Sequence, residues 1–214
     1  MTVWFDSSLP SGLNSDFWIQ GQHRADFSKY FFDDPFPHFK ITNLLLSETF
    51  DSLCRSVRHQ VSAYELLSDS DERGMKYCPL MVRSAVEFFC GPTFRETLSK
   101  TLGRSVFRPT NSVPQLRINF GPAPALPVHT DDHAPFDFAT FYFVHNKWGK
   151  QSGGELCLHA REASGVLSTV TRIRPVPNTL VGMIFSSGSY HSVSQIKGQI
   201  ARIAIYQEWK FSNR

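Results

Sequence analysis

The chain has 214 residues, enough for one domain that buries roughly 70% of its unfolded surface. Its hydrophobic share of 41% and charged share of 19% are those of a globular protein, and the net charge of +3 is mild. Lys and Arg are scattered rather than clustered and no segment approaches the ~18 apolar residues of a membrane span, so neither a nucleic-acid partner nor a membrane partner is expected.

Phenylalanine stands out with 19 copies, which favours a mainly β core. Cys54, Cys78, Cys90 and Cys157 form no CxxC pair, so zinc-ribbon spacing and a disulfide framework are both excluded. Reduced thiols in a cytoplasmic protein are expected. The opening MTVWFDSSLPSGLNSDFW lacks a basic region followed by an apolar run, and no signal peptide is expected there.

Residues 1–34 read as an arm packed on the main domain. Pro35–Ile41 reads as a strand entered through prolines, and Ser47 as the N-cap of a helix from Glu48 to about Val61 with Phe50, Leu53, Cys54 and Val57 on one face. Residues 65–79 look like an exposed loop. Helical sequence resumes at Met81, is interrupted at Gly91-Pro92 and stops at Gly103. From about Val106 short strands recur between turn signals: Gln115–Phe120, Phe138–His145, Glu155–His159, Gly165–Arg174, Thr179–Phe185 and Ile200–Trp209. Regularly spaced strands without intervening helices point to a sandwich or barrel. The expected layout is one domain over 1–214, with an arm (1–34), a helical support (35–105) and an all-β core (106–214).

The chemistry centres on His129-Thr130-Asp131. In a strand, residues i and i+2 share a face with Cα atoms ~6.6 Å apart, so an imidazole and a carboxylate can reach one cation. Alone the triplet is weak evidence, since a surface turn with the same residues is common. His191, just past the apolar strand Thr179–Phe185, is the best third ligand. Two His and one carboxylate leave three coordination positions open, as non-haem iron oxygenases require. Arg202 follows His191 by eleven positions inside an apolar strand. Pointing inward it needs an anion, which the distal carboxylate of 2-oxoglutarate would supply; pointing outward it needs none.

The arrangement His129-x-Asp131…His191…Arg202 resembles the signature of iron(II)/2-oxoglutarate-dependent dioxygenases of the prolyl 4-hydroxylase-like group. Phe138–Trp148 is similar to the family strand that ends in Tyr-Leu-Asn before a Trp, Gly153–Leu156 to its GGEL turn, and Ile173–Val181 to its I-x-P-x-x-N-x-L-V segment. Pro35–Phe39 and Phe94–Gly103 resemble the front of the ribosomal prolyl hydroxylase branch, so the likeness spans roughly residues 35–210.

This resemblance implies a double-stranded β-helix (jelly-roll) barrel binding Fe(II), 2-oxoglutarate and O2. It implies oxidative decarboxylation of 2-oxoglutarate to succinate and CO2, coupled to hydroxylation of an unactivated C–H. The substrate would be a small molecule, an amino acid or a peptidyl residue. Asp131 argues for hydroxylation, because halogenating relatives carry a small residue there.

The chain departs from the family pattern at Phe143, where Tyr is usual, and at Ala204, where Ser or Thr is usual. Asn119 is the candidate for extra cosubstrate contact and Arg117 for substrate contact, on a strand whose alternating polar face is Gln115, Arg117 and Asn119. The same alternation would suit a solvent-facing strand edge. His129 and His133 have helical zinc-pair spacing, but no Glu of HExxH lies between them and Pro135 follows closely. His145 and His159 are expected to be structural, Asp132 and Lys147 to be solvated, Tyr190 to pack near the metal shell, and Gly149–Gly154 to form a hairpin loop. Two other functions compete: a non-catalytic metal- or ligand-binding module of the same fold, and a cupin-like metal hydrolase or isomerase.

Overall fold

The computed structural model describes residues 28–65 and 75–212. Most of the expected arm, residues 1–27, lies outside them. A 3-10 turn at Ser28–Tyr30 leads into β1 (Phe31–Phe32) and β2 (His38–Thr42), which pair antiparallel. Helix α1 (Ser47–Glu65) buries Phe50, Leu53, Cys54, Val57 and Val61, a stripe at helical spacing. Ser47 is not its N-cap: the Leu46 carbonyl accepts the Phe50 N–H at 2.9 Å, which puts Leu46 in the cap position. Helices α2 (Arg83–Cys90) and α3 (Pro92–Leu102) meet at Gly91, where an added Cβ would lie 2.6 Å from the Glu87 carbonyl oxygen. Gly103 closes α3 in the left-handed region at φ 61°.

The expected loop over 65–79 requires correction. Glu65 still belongs to α1, and Met75–Pro79 forms β3, with Cys78 buried opposite Leu116. Cys78 is the one fully buried residue of the strand, so no alternation marks it in the sequence.

After β4 (Val106–Phe107) come β5 (Gln115–Phe120), β6 (Leu126–His129), β7 (Phe138–Phe143), β8 (Leu156–Arg161), β9 (Leu167–Ile173), β10 (Thr179–Ile184), β11 (His191–Val193) and β12 (Ala201–Phe211). They form an eight-stranded sheet of order β1-β2-β10-β7-β12-β5-β3, with β4 on β12, and a four-stranded sheet of order β6-β11-β8-β9. Every pairing is antiparallel. The protein is therefore mainly β in a two-sheet jelly-roll arrangement. Residues 35–105 contribute strands β2 and β3 to the larger sheet as well as helices.

Strict alternation on the larger sheet separates core from site. Leu116, Ile118, Tyr142, Ile203, Ile205 and Trp209 point to the helices and join their core cluster. Phe143, Val181, Met183 and Ala204 point the other way and pack with Leu156, Leu158 and Ile173 of the smaller sheet. On β12, residues 202, 204, 206 and 208 therefore share the inter-sheet face. Among the described residues no helix is long and apolar enough to cross a membrane. All four cysteines are free thiols.

Candidate metal centre

His129 is the last residue of β6 and His191 the first of β11, and the two are cross-strand partners. Their ring centroids lie 4.2 Å apart. On its other side β11 pairs with β8, His191 opposite Leu158, so the second histidine stands on an interior strand. Asp131 does not lie in the strand as the H-x-D spacing suggested. The strand stops at His129, and the Asp131 carbonyl accepts the Ala134 N–H at 3.0 Å to start a turn. This turn carries the carboxylate back toward both rings. Asp131 Oδ2 is 3.5 Å from His191 Nε2, and Oδ1 is 3.9 Å from His129 Nε2.

The ring tautomers are fixed from behind. His129 Nδ1–H donates to the Pro127 carbonyl and His191 Nδ1–H to the Ser189 carbonyl, each at 2.9 Å. Both Nε2 lone pairs are thereby directed to the cluster, the support that metal-ligating imidazoles ordinarily have. When the rings are instead protonated at Nε2 and no metal is bound, hydrogen bonding from His191 holds the Asp131 carboxyl below its usual pKa, opposed by burial and assisted by the charges of His191, His129 and Arg117. The three donor atoms lie within 4.8 Å of one another. Two neutral imidazoles and a carboxylate suit a divalent metal of intermediate hardness, iron(II) included.

The cluster opens onto a cavity of about 520 Å³ between the two sheets. Arg202 lines it and is 7% exposed. Its guanidinium lies 5.0 Å from the centroid of the Phe143 ring, and its Nε is buried with no hydrogen-bond partner. Burial, with the Arg117 charge second, lowers its pKa to about 10, so it stays cationic at neutral pH. A buried guanidinium with no carboxylate among the described residues is a site for an anion. Asn119 is its register partner on β5 and lines the same cavity. Gln115 and Arg117 face the cavity too, and β5 lies between β12 and β3, which removes the solvent-edge reading of this polar face. The two departures from the family pattern have local counterparts: Phe143 offers its ring to Arg202, and Ala204 is buried in the inter-sheet layer.

The other singled-out histidines separate cleanly. His145 Nε2–H donates to the Pro175 carbonyl at 2.6 Å, while its Nδ1 accepts the Ile203 N–H at 3.3 Å. Burial pulls its pKa down to about 4, so it is a neutral structural residue. His159 bonds Ser192 Oγ at 2.8 Å and Thr169 Oγ1 at 3.2 Å. His133 lines the cavity from the bend after Asp131, and no helix forms there. Tyr190 is turned away from the metal centre, its hydroxyl accepting from Arg161 at 2.6 Å. Thr130 Oγ1 donates to Asp132 at 2.8 Å, leaving Asp131 as the clustered carboxylate. Gly149–Gly154 is not a hairpin loop, because β7 and β8 belong to different sheets. It turns at Gly149, whose carbonyl accepts the Ser152 N–H at 3.2 Å, and passes at Gly153, φ 69°, so close to the Gln195 carbonyl that a Cβ would collide with it. Tyr206 lines the cavity and was not foreseen, although its place four residues after Arg202 on an alternating strand was the available signal.

Neither a family model nor a curated protein matches the sequence. Solved structures do match. A prolyl-4-hydroxylase from Pseudomonas putida superposes with TM-score 0.55 at 14% identity, covering 83% of this chain and 92% of that one. A Trichoplax adhaerens prolyl hydroxylase, solved with a hypoxia-inducible-factor peptide fragment, gives 0.61 at 15%, covering 81% and 82%. The 2-oxoglutarate-dependent epimerase SnoN of nogalamycin biosynthesis gives 0.61 at 8%, covering 81% and 76%. The chain thus has the fold of the prolyl-4-hydroxylase-like and other iron(II)/2-oxoglutarate oxygenases.

Proposed function

We propose that this protein is an iron(II)/2-oxoglutarate-dependent dioxygenase that hydroxylates an unactivated C–H bond. One observation carries the reading: the His129–Asp131–His191 cluster opens into the same cavity as Arg202, whose buried Nε has no hydrogen-bond partner among the described residues. A metal site alone would not require a buried cation beside it. A metal site that takes a five-carbon dicarboxylate does, because the far carboxylate loses its water on entry.

In this reading His129, Asp131 and His191 hold iron(II), and Arg202 binds the distal carboxylate of 2-oxoglutarate, with Asn119 beside it. When bound, iron and 2-oxoglutarate together supply the oxidant, consuming O2 and releasing succinate and CO2. The protein's own task is placement. The Pro127 and Ser189 carbonyls hold Nδ1 of each imidazole and so orient Nε2 toward the cluster. Phe143, Leu156 and Met183 line the cavity with apolar surface, which keeps water from the reacting C–H. Asp131 fills the coordination position that a halogenating site would leave to halide, which favours hydroxylation.

The substrate is a small molecule, an amino acid or a peptidyl residue. The Trichoplax structure holds a peptide fragment, and SnoN is an epimerase, so this fold serves different substrates and outcomes. The test is succinate formation from 2-oxoglutarate by the purified protein with Fe(II) in air. Slow succinate release without added substrate, lost under argon or with chelator, is expected. Its absence, with metal still bound, would favour the non-catalytic binding module.

A further inference from the structure

Two guanidinium groups face the cavity, and the oxygenase reading occupies only one of them. Arg117 is the register partner of Ala204, one cavity-facing position along the sheet from the Asn119–Arg202 pair. Its guanidinium lies on the Tyr206 ring at 3.3 Å from the centroid, with Phe141 at 5.9 Å. Stacking holds the planar fork without using its N–H donors, whose edges stay available for a planar anion. Among the described residues two carboxylates line the cavity, and neither pairs with Arg117. Asp131 belongs to the metal cluster, and Glu208 accepts the Ser112 hydroxyl at 3.1 Å.

The Arg117 charge is felt at Arg202, whose pKa is lowered by burial first and by Arg117 second. Two cations sharing a partly desolvated cavity repel each other unless each meets an anion. 2-Oxoglutarate has two carboxylates, one for the metal end and one for Arg202. Glu208 lies on the same face but engages Ser112 and Tyr206, so the donors of Arg117 are open to an anion, and the substrate is the component left to bring it.

We propose that Arg117, held on Tyr206, is the docking site for a free carboxylate of the substrate, so that the substrate is a small carboxylic acid of amino-acid size. This rests on the oxygenase reading and narrows its substrate class. A cavity of about 520 Å³ suits two small ligands side by side better than a folded protein chain.

The test uses the full chain with Fe(II) and saturating 2-oxoglutarate under argon. Saturation-transfer NMR follows free L-amino acids and N-acetyl amino acids, each paired with its primary amide; the two series separate recognition of the acid alone from recognition that also needs the ammonium. At least one acid should bind roughly tenfold or more tighter than its amide. Arg117→Gln should abolish that preference, Arg117→Lys should keep part of it, and both should leave 2-oxoglutarate affinity within about twofold of wild type. Circular dichroism confirms the fold of each variant, and the wild-type acid-to-amide ratio stands without them. The proposal is overturned if no acid binds, if acid and amide bind alike, or if the preference survives Arg117→Gln. It is equally overturned if Arg117→Gln weakens 2-oxoglutarate instead, since Arg117 would then be a cosubstrate contact. Failure of the wild-type protein to bind 2-oxoglutarate with iron at all would instead sink the oxygenase reading, and this proposal with it.

Discussion

His129 and His191 are separated by 61 intervening residues yet stand directly opposite each other across β6 and β11, with ring centroids 4.2 Å apart. Cross-strand register, rather than a loop, sets the spacing of two donors, and the turn after β6 delivers the third. Such a site is built mainly by the sheet and survives changes to side chains that the sheet does not need.

Arg202 tests the cosubstrate assignment. Lysine keeps the charge but not the planar fork, so Arg202→Lys should raise the apparent KM for 2-oxoglutarate roughly tenfold, about 1.4 kcal/mol. Arg202→Ala should be worse, with iron affinity little changed in both. Succinate formation against 2-oxoglutarate concentration gives the answer, and an unaltered KM in Arg202→Ala would move the anchor to another residue.

Asp131→Gly tests the chemistry separately. Loss of one of three donors should remove hydroxylation, while the vacated position could admit chloride. Product mass spectrometry in chloride buffer reads this directly. Undiminished hydroxylation would mean that the carboxylate ligand is a different residue, with Asp132 first to be tested.

Asn178 ties the helical front to the larger sheet. Its side chain accepts from the Leu45 N–H at 2.9 Å and the Tyr142 hydroxyl at 2.6 Å, and donates to the Leu45 carbonyl at 2.9 Å. Its φ of 58° is one that Asn tolerates better than most residues. Asn178→Ala leaves buried polar groups unpaired and should destabilise the protein by about 3 kcal/mol or more. Urea unfolding would show it; a shift under about 0.5 kcal/mol, typical of an unconstrained surface site, would contradict the role.

His145 gives a pH signature to the metal-free protein. Its pKa falls from 6.5 to about 4 in the fold, so folding favours the neutral ring. That contribution is complete above pH 6.5, declines as pH falls toward 4, and is lost below it, by an amount on the order of 3 kcal/mol. Urea midpoints of the wild type should drop through this window more steeply than those of His145→Gln. Parallel slopes would show that the ring does not report its burial.

Much of this was legible in the sequence because β5 and the first half of β12 alternate in residue type. The patterns Gln-Leu-Arg-Ile-Asn in β5 and Arg-Ile-Ala-Ile-Tyr in β12 announce one polar and one apolar face. The apolar face packs on the helices as such a pattern requires. The short elements were hidden. β6 contains Pro127 and β11 is three residues long, so neither shows a period, and Asp131 reaches the cluster through a turn. Which way the polar face of β5 points depended on its neighbours, and β3 was hidden because Met-Lys-Tyr-Cys-Pro shows no alternation and follows the polar run SDSDERG. Tyr190 lies beside His191 in sequence, yet its partner Arg161 comes from β8 and draws it outward.

The proposed function requires that His129, Asp131 and His191 hold one iron that receives 2-oxoglutarate. Anaerobic titration with Fe(II), followed by 2-oxoglutarate, measures both steps on the same sample through the metal content and the visible absorption of the iron–oxoacid complex. About one iron per wild-type chain is expected, with a band that appears only when 2-oxoglutarate is added. In His129→Ala and His191→Ala, the fold should be retained with iron affinity lowered at least tenfold. A wild-type band that persists at full strength in either variant, at the same iron concentration, would contradict the assignment.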